Sequence, residues 1–252
     1  MKKAILLFIA FTITYFNVKA QQFIDKAVIE FEVKTNVKKT IGNGRWAEML
    51  KENMPQFKTG YYQFSFNNNK SIYKFNRWAE GPKVPEFMRR DDEQNIYFLD
   101  HTANKMYQQK PIVGSNFMVE DSIPQINWRL TNESRMIAGF NCRKAVGKIL
   151  DSVYVFVFYT EEIMIPGGPC SISGLPGMIL GMTIPRMYTS FIATKVMLSG
   201  VNNDELKPIP SKKYSTRASL RTLITERSKE WSSDDDEDSK AWRNQFVWGA
   251  LL

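Results

Sequence analysis

Val153-Tyr-Val-Phe-Val-Phe158 is built wholly of β-branched and aromatic residues. Such a run reads as a strand that is apolar on both faces, lying between two layers or between a core and a ligand groove. A second apolar run, Met178-Ile-Leu-Gly-Met-Thr-Ile184, follows a stretch rich in proline and glycine. Pro166-Gly167-Gly168-Pro169 is a loop through which no strand can continue. Gly174 and Gly177 can take backbone angles closed to other residues, and Pro176 fixes its own φ and removes a donor. These three are read as a structural turn that leads sharply into a central strand, with Gly181 allowing a close approach.

The rest of the chain is also β-like. Ala27, Ile29, Phe31 and Val33 alternate with more polar neighbours, as in a half-buried strand. Arg45 to Asn53 reads as a short helix ended by Pro55. Tyr62, Phe64 and Phe66 lead through Asn67-Asn68-Asn69 to Tyr73 and Phe75, a hairpin. Ile96–Leu99 and Lys105–Tyr107 make a second hairpin around His101. Gly81 to Asp92, with two prolines and a charge cluster, reads as an exposed loop. Met136, Ala138, Phe140 and Cys142 fall on one strand face, and Asp151-Ser152 is a turn. Tyr188 to Leu198 is one more strand. Ser215 can cap a helix reaching Trp231. The acidic run Asp234–Asp238 reads as a solvated linker, and Trp242 to Leu252 as an aromatic tail that docks or stays loose. The expectation is a mainly β (α+β) fold: an antiparallel, strongly curved sheet with a short N-terminal helix and a C-terminal helix.

The N-terminus reads as an export signal. Lys2 and Lys3 precede an apolar run, Ala4 to Phe16, and Val18-Lys19-Ala20 supplies small residues for cleavage before Gln21. The expected organisation is a signal peptide at 1–20, one β-rich domain at 21–231, and a linker and tail at 232–252. Losing the leader lowers the formal charge of +8 by three. The remaining basic residues are scattered, which argues against a nucleic-acid partner and for a solvated surface. A periplasmic or secreted location follows from the leader, with no transmembrane segment after cleavage. In that oxidising setting Cys142 and Cys170 either form a disulfide or stay as two buried thiols.

Two segments carry a resemblance. "WRLTNESRMIAGFNCRKA" holds Trp128, Glu133, Ile137, Gly139, Phe140, Cys142, Lys144 and Ala145 in the order and spacing of the GLPGLI family of exported Bacteroidetes proteins. "YTEEIMIPGGPCSISGLPGMIL" is similar to that family's second segment, with Met178 where the family has leucine. The resemblance is tight over 128–182 and loose over 26–231. It implies an exported, β-rich protein that ends in a basic helix, and it implies no established activity. Cys170 departs from the pattern. The sheet pattern is also similar to the half-barrel of periplasmic lipoprotein carriers, a likeness of fold that carries no function.

The chemistry in the sequence is sparse. His101 is the sole histidine, and no G-x-S-x-G elbow or ligand-spaced metal set accompanies it, so no cofactor or metal is expected. Glu161-Glu162 could form an acid/base pair, and Glu133 with Lys144 could be structural or part of a site. Two functions stay open. One is a non-catalytic binding or carrier module for an apolar ligand or a partner's peptide segment, with Tyr154, Phe156, Phe158, Met178, Leu180 and Met182 lining its groove. The other is an enzyme with an unrecognised carboxylate or lysine site.

Overall fold

The computed structural model describes residues 24–41, 45–82, 84–150, 152–231 and 236–252. The expected leader and its cleavage site, and Asp234 and Asp235, lie outside the described residues. Eleven strands run in chain order: β1 (Lys26–Asn36), β2 (Phe57–Asn67), β3 (Lys70–Trp78), β4 (Ile96–Asp100), β5 (Lys105–Ile112), β6 (Ser115–Ser122), β7 (Arg129–Ile137), β8 (Phe140–Ile149), β9 (Val153–Thr160), β10 (Met178–Ile184) and β11 (Thr189–Met197). They form one antiparallel sheet in the order 6-5-4-3-2-1-11-10-9-8-7. Thus β1 to β6 make one meander, β7 to β11 make another, and the β1–β11 ladder joins them.

One connection dictates the shape. β6 and β7 are the two edges of the sheet, yet only Ile123 to Trp128 links them. That segment reaches about 25 Å at full extension. A flat eleven-stranded sheet would place its edges about 48 Å apart. The sheet must therefore curl on itself, and the side chains of both meanders meet in one core. The expected mainly β, antiparallel and strongly curved architecture is the one observed, and the sheet is not closed.

Among the described residues there are five helices: α1 (Val37–Thr40), α2 (Arg45–Glu52), α3 (Glu86–Glu93), α4 (Arg217–Trp231) and α5 (Glu237–Leu251). α3 corrects the reading of 81–92 as a loop. Pro85 stands immediately before its first turn, so the proline sets a helix start. The strand face drawn through Met136, Ala138, Phe140 and Cys142 is also corrected. Ala138 and Gly139 have φ of 50° and 87° and make a two-residue turn between β7 and β8. Met136 is consequently exposed. Ser215 does not cap α4: it pairs through its main chain with Met118 and Glu120 of β6. Thr216 does the capping, its Oγ1 accepting from the Ser219 N–H at 3.1 Å. The tail docks, one of its two expected outcomes, and the described end of the acidic run starts a helix. Asp236 caps α5, accepting from Ser239 N–H at 2.9 Å, and Ala250 and Leu251 are buried in the main core.

The proline- and glycine-rich loop between β9 and β10 is an interior plug. Ile163, Ile165, Cys170, Ile172 and Leu175 are all buried. Its main chain is satisfied locally, with Ile179 N–H donating to Gly167 O at 2.9 Å and Met178 N–H to Ile163 O at 3.0 Å. Gly174 has φ of 94°, as the turn requires. Gly177 is needed for space: a Cβ there would lie 2.0 Å from the Thr160 carbonyl oxygen. Gly181 likewise lies under Ile137, whose Cδ1 would be 2.7 Å from an added Cβ.

Candidate functional site

The residues nominated for a groove do not share a face. On β9, Val153, Val155 and Val157 point into the core, and Tyr154, Phe156 and Phe158 point outward. Met178, Leu180 and Met182 are fully buried, because β10 is covered on both faces, with Thr183 alone exposed. The outward aromatics are topped by cations: Arg135 lies 4.8 Å from the Phe158 ring centroid and Lys144 lies 5.7 Å from that of Phe156.

The motif residues hold the scaffold. Trp128 lies over Gly147, where a Cβ would come within 2.7 Å of the indole. Its Nε1–H donates to Ser173 O at 3.0 Å, which fastens the β6–β7 connection to the turn at Gly174. Lys144 and Glu133 pair across the β8–β7 ladder at 2.7 Å, with Glu133 largely exposed. Glu161 pairs with Arg143, and Glu162 accepts from the Asn141 N–H. These acids sit at strand ends and do not converge. Cys142 and Cys170 are both free and buried, so the disulfide is not formed. Burial pushes the Cys142 thiol up to about 11 and the Cys170 thiol up to about 12.

What does converge lies elsewhere. Between the concave face of β1 to β5 and the helix α5 is a cavity of about 340 Å³. Alternation along β5 turns Met106, Gln108 and Lys110 inward. α3 supplies Asp91 and Asp92, β2 supplies Lys58 and Tyr62, and β3 supplies Tyr73. The buried loop contributes Cys170. Val33, Ile112, Met187 and Phe191 form an apolar wall, and Trp242, Phe246 and Ala250 of α5 form the roof.

The polar groups here are unusual for an interior. Lys110 is only 7% exposed. Burial holds its ammonium down at about 8, against the opposing pull of Cys170, Asp92 and Asp91. Its Nζ donates to Leu252 O at 2.6 Å, and Arg217 donates to Leu251 O at 3.3 Å, so two cations fasten the carbonyl end of α5. Asp92 is paired with Lys58 and faces the Tyr62 hydroxyl. Asp91, raised by burial, accepts from the Val113 N–H. Tyr73 is 3% exposed, and its hydroxyl has no hydrogen-bond partner. Among the described residues no group of acidic, histidine or cysteine side chains is placed to hold a metal ion.

Sequence reasoning missed this site. Lys110 and Tyr73 sit in ordinary alternating strands. The available signal was a lysine at an inward position, in register with Met106 and Gln108.

No curated protein matches the chain. Residues 90–210 match the family described as N-glycanase peptide, N-terminal domain. Two solved structures of PNGF-II, in C2 and P21 crystals, are similar in fold. The first has a TM-score of 0.52 at 13% identity, covering 79% of this chain and 32% of that one. The second has a TM-score of 0.50 at 15% identity, covering 83% and 34%. The chain thus spans about a third of the length of the PNGF-II structures it matches. No helix among the described residues is long and apolar enough to cross a membrane. The chain is a mainly β domain whose fold is similar to the β-sandwich architecture of PNGF-II, and part of it matches that family's N-terminal domain.

Proposed function

We propose that the chain is an exported, non-catalytic binding or carrier module of the GLPGLI type, and that the cavity under α5 is its ligand site. The observation that carries this reading is a pocket of about 340 Å³ between α5 and the sheet, where Lys110, Lys58, Asp91 and Asp92 meet an apolar wall. The volume lies at the lower end of the range for small-molecule sites, about 300 to 1,000 Å³. The match to an N-terminal domain supports a module that works beside other parts of a protein. The leader at 1–20 supports export to the periplasm or beyond. An enzyme with a lysine site is the second reading, favoured by Lys110 beside Asp91; it lacks the convergence of Glu133, Lys144 or Glu161 on that lysine.

The test is titration with 1-N-phenylnaphthylamine, an uncharged fluorescent dye. Saturable one-to-one binding is expected. Ala250→Leu, which extends a buried roof residue into the cavity, is expected to weaken dye binding while leaving the melting temperature at or above that of the parent. Equal dye binding by Ala250→Leu would move the site away from α5.

A further inference from the structure

We infer that α5 is a lid: it lifts off the sheet as a unit while the eleven strands stay paired, and its lifting admits ligand to the pocket beneath it. The gating role deepens the binding reading above and rests on it. The lifting rests on how α5 is held.

α5 spans the concave face more as a bridge than as a packed layer. Trp242, Gln245, Phe246, Gly249 and Ala250 follow the i, i+3, i+4, i+7, i+8 spacing of one helical face, and all of them border the pocket. Gly249 shows the gap directly. It is exposed, and a Cβ added there would meet nothing within 4 Å. Space also borders the flanks of the helix. A pocket of about 330 Å³ lies between its first turns and Lys38, Lys39 and Tyr188. Another of about 390 Å³ lies beside Phe246, among Val113, Leu223 and Trp231.

What holds α5 is modest and lies mostly at its C-terminal end. Ala250 and Leu251 are buried, whereas Trp242, Phe246, Val247 and Trp248 are half-buried. Lys110 donates to Leu252 O, Arg217 donates to Leu251 O, and Arg186 lies 5.4 Å from the Trp248 ring centroid. Phe246 meets Trp231 of α4 edge-on, with ring centroids 5.3 Å apart. A helix of fifteen residues is marginal by itself in water. β1 and β11 contrast with it, since each is paired on both sides in the middle of the sheet. Segments with few buried apolar contacts open at lower free energy than such strands, and lids over binding sites are drawn from them.

Two variants push the lid in opposite directions. Arg217→Gln removes one cation from the last turn of α5, and Arg217 lies outside the lining of the pocket. Gly249→Ala adds helix propensity at a position with room for the methyl group. Hydrogen–deuterium exchange of the full chain, read by mass spectrometry, measures the lifting. In the parent, amides of residues 241–251 are expected to exchange together, about a hundredfold or more faster than those of β1 and β11. Arg217→Gln is expected to speed α5 about fivefold and Gly249→Ala to slow it about threefold, with β1 and β11 unchanged. If the α5 amides are as protected as those strands, or change in step with them in Arg217→Gln, α5 leaves only on global unfolding and the lid is overturned. Stopped-flow mixing with 1-N-phenylnaphthylamine measures the gate. Association is expected to quicken in Arg217→Gln by the factor seen in its α5 exchange. An unchanged association rate overturns the gate. A parent that binds no dye removes the pocket reading and the gate with it, while amide exchange decides the lifting by itself.

Discussion

The motif-rich half of the sheet and the cavity half were built under different constraints. At three glycines in and beside β8 and β10 there is no room for a side chain. Added Cβ atoms would lie 2.0 Å from a carbonyl oxygen at Gly177 and 2.7 Å from side chains at Gly147 and Gly181. Across the sheet, under α5, a cavity of about 340 Å³ stands open and a lysine is buried at 7% exposure. Burying an ammonium costs free energy, so a lysine held there departs from what stability alone would select. The tight glycine contacts hold the shape, and the space under α5 has room for a ligand.

The sharpest way to break this contrast is Gly177→Ala. The new methyl would overlap the main-chain oxygen of Thr160, which belongs to a central ladder and cannot rotate away. A loss above about 4 kcal/mol is expected, well beyond the ~1 kcal/mol of glycine propensity. Denaturant unfolding measures it; a variant as stable as the parent would show that the turn gives way and that the motif half is not tightly packed. Trp128→Ala, which removes the hydrogen bond to Ser173 O and the indole over Gly147, should be milder because Trp128 is only half-buried. About 2 kcal/mol is expected.

These glycines and prolines made the packed half legible. Gly174 and Gly177 are local backbone requirements, and local requirements leave marks in a single stretch of sequence. The alternation in β1, β2 and β9 disclosed strands for the same reason. The cavity left no such mark, because Lys58, Tyr73, Asp91, Lys110 and Cys170 come from five separate segments that meet only when the sheet curls. Two readings then hid its frame. The loop reading of 81–92 conceals α3, which starts after Pro85, and the linker reading of the acidic run conceals the cap that Asp236 gives the helix over the site. The groove reading failed on β9 because its alternation shows that two faces are apolar but not which one the core takes. Here the valines went in and the aromatics went out under Arg135 and Lys144.

The pH profile sharpens the other side of the contrast. Lys110 titrates at about 8 in the folded chain and near 10.5 when unfolded. Below pH 8 both states are charged, and burial of the ammonium costs on the order of 3 kcal/mol. Between about pH 8 and 10.5 the folded state sheds the proton while the unfolded state keeps it, so the Lys110 contribution makes stability rise with pH. The thiols act in the opposite sense. Cys142 and Cys170 hold their protons to about 11 and about 12, so above pH 9 the unfolded state loses protons that the folded state retains, and stability falls. Subtracting the Lys110→Met profile from that of the parent isolates the lysine: a difference that moves in favour of the parent from pH 8 upward is expected. A flat difference would mean that Lys110 is solvated and that the cavity half is no more strained than the motif half.

The smallest expected effect falls on the two motif residues that look most like chemistry. Glu133 and Lys144 form a charged pair at 2.7 Å, and in sequence they could have served a site as well as a sheet. In the fold they lie on the outer face, away from the cavity, with Glu133 in contact with solvent and the ammonium turned toward Phe156. Ion pairs with one solvated partner contribute about 0 to 1 kcal/mol, and salt screens them further. Glu133→Gln should therefore lower stability by less than about 0.5 kcal/mol, and the loss should vanish in high salt. Dye binding should be unchanged, because the pair lies on the outer face of β7 and β8 and outside the lining of the cavity. A tenfold loss of ligand affinity in Glu133→Gln would place function on the outer face of the motif half and reverse the division of labour drawn from the packing.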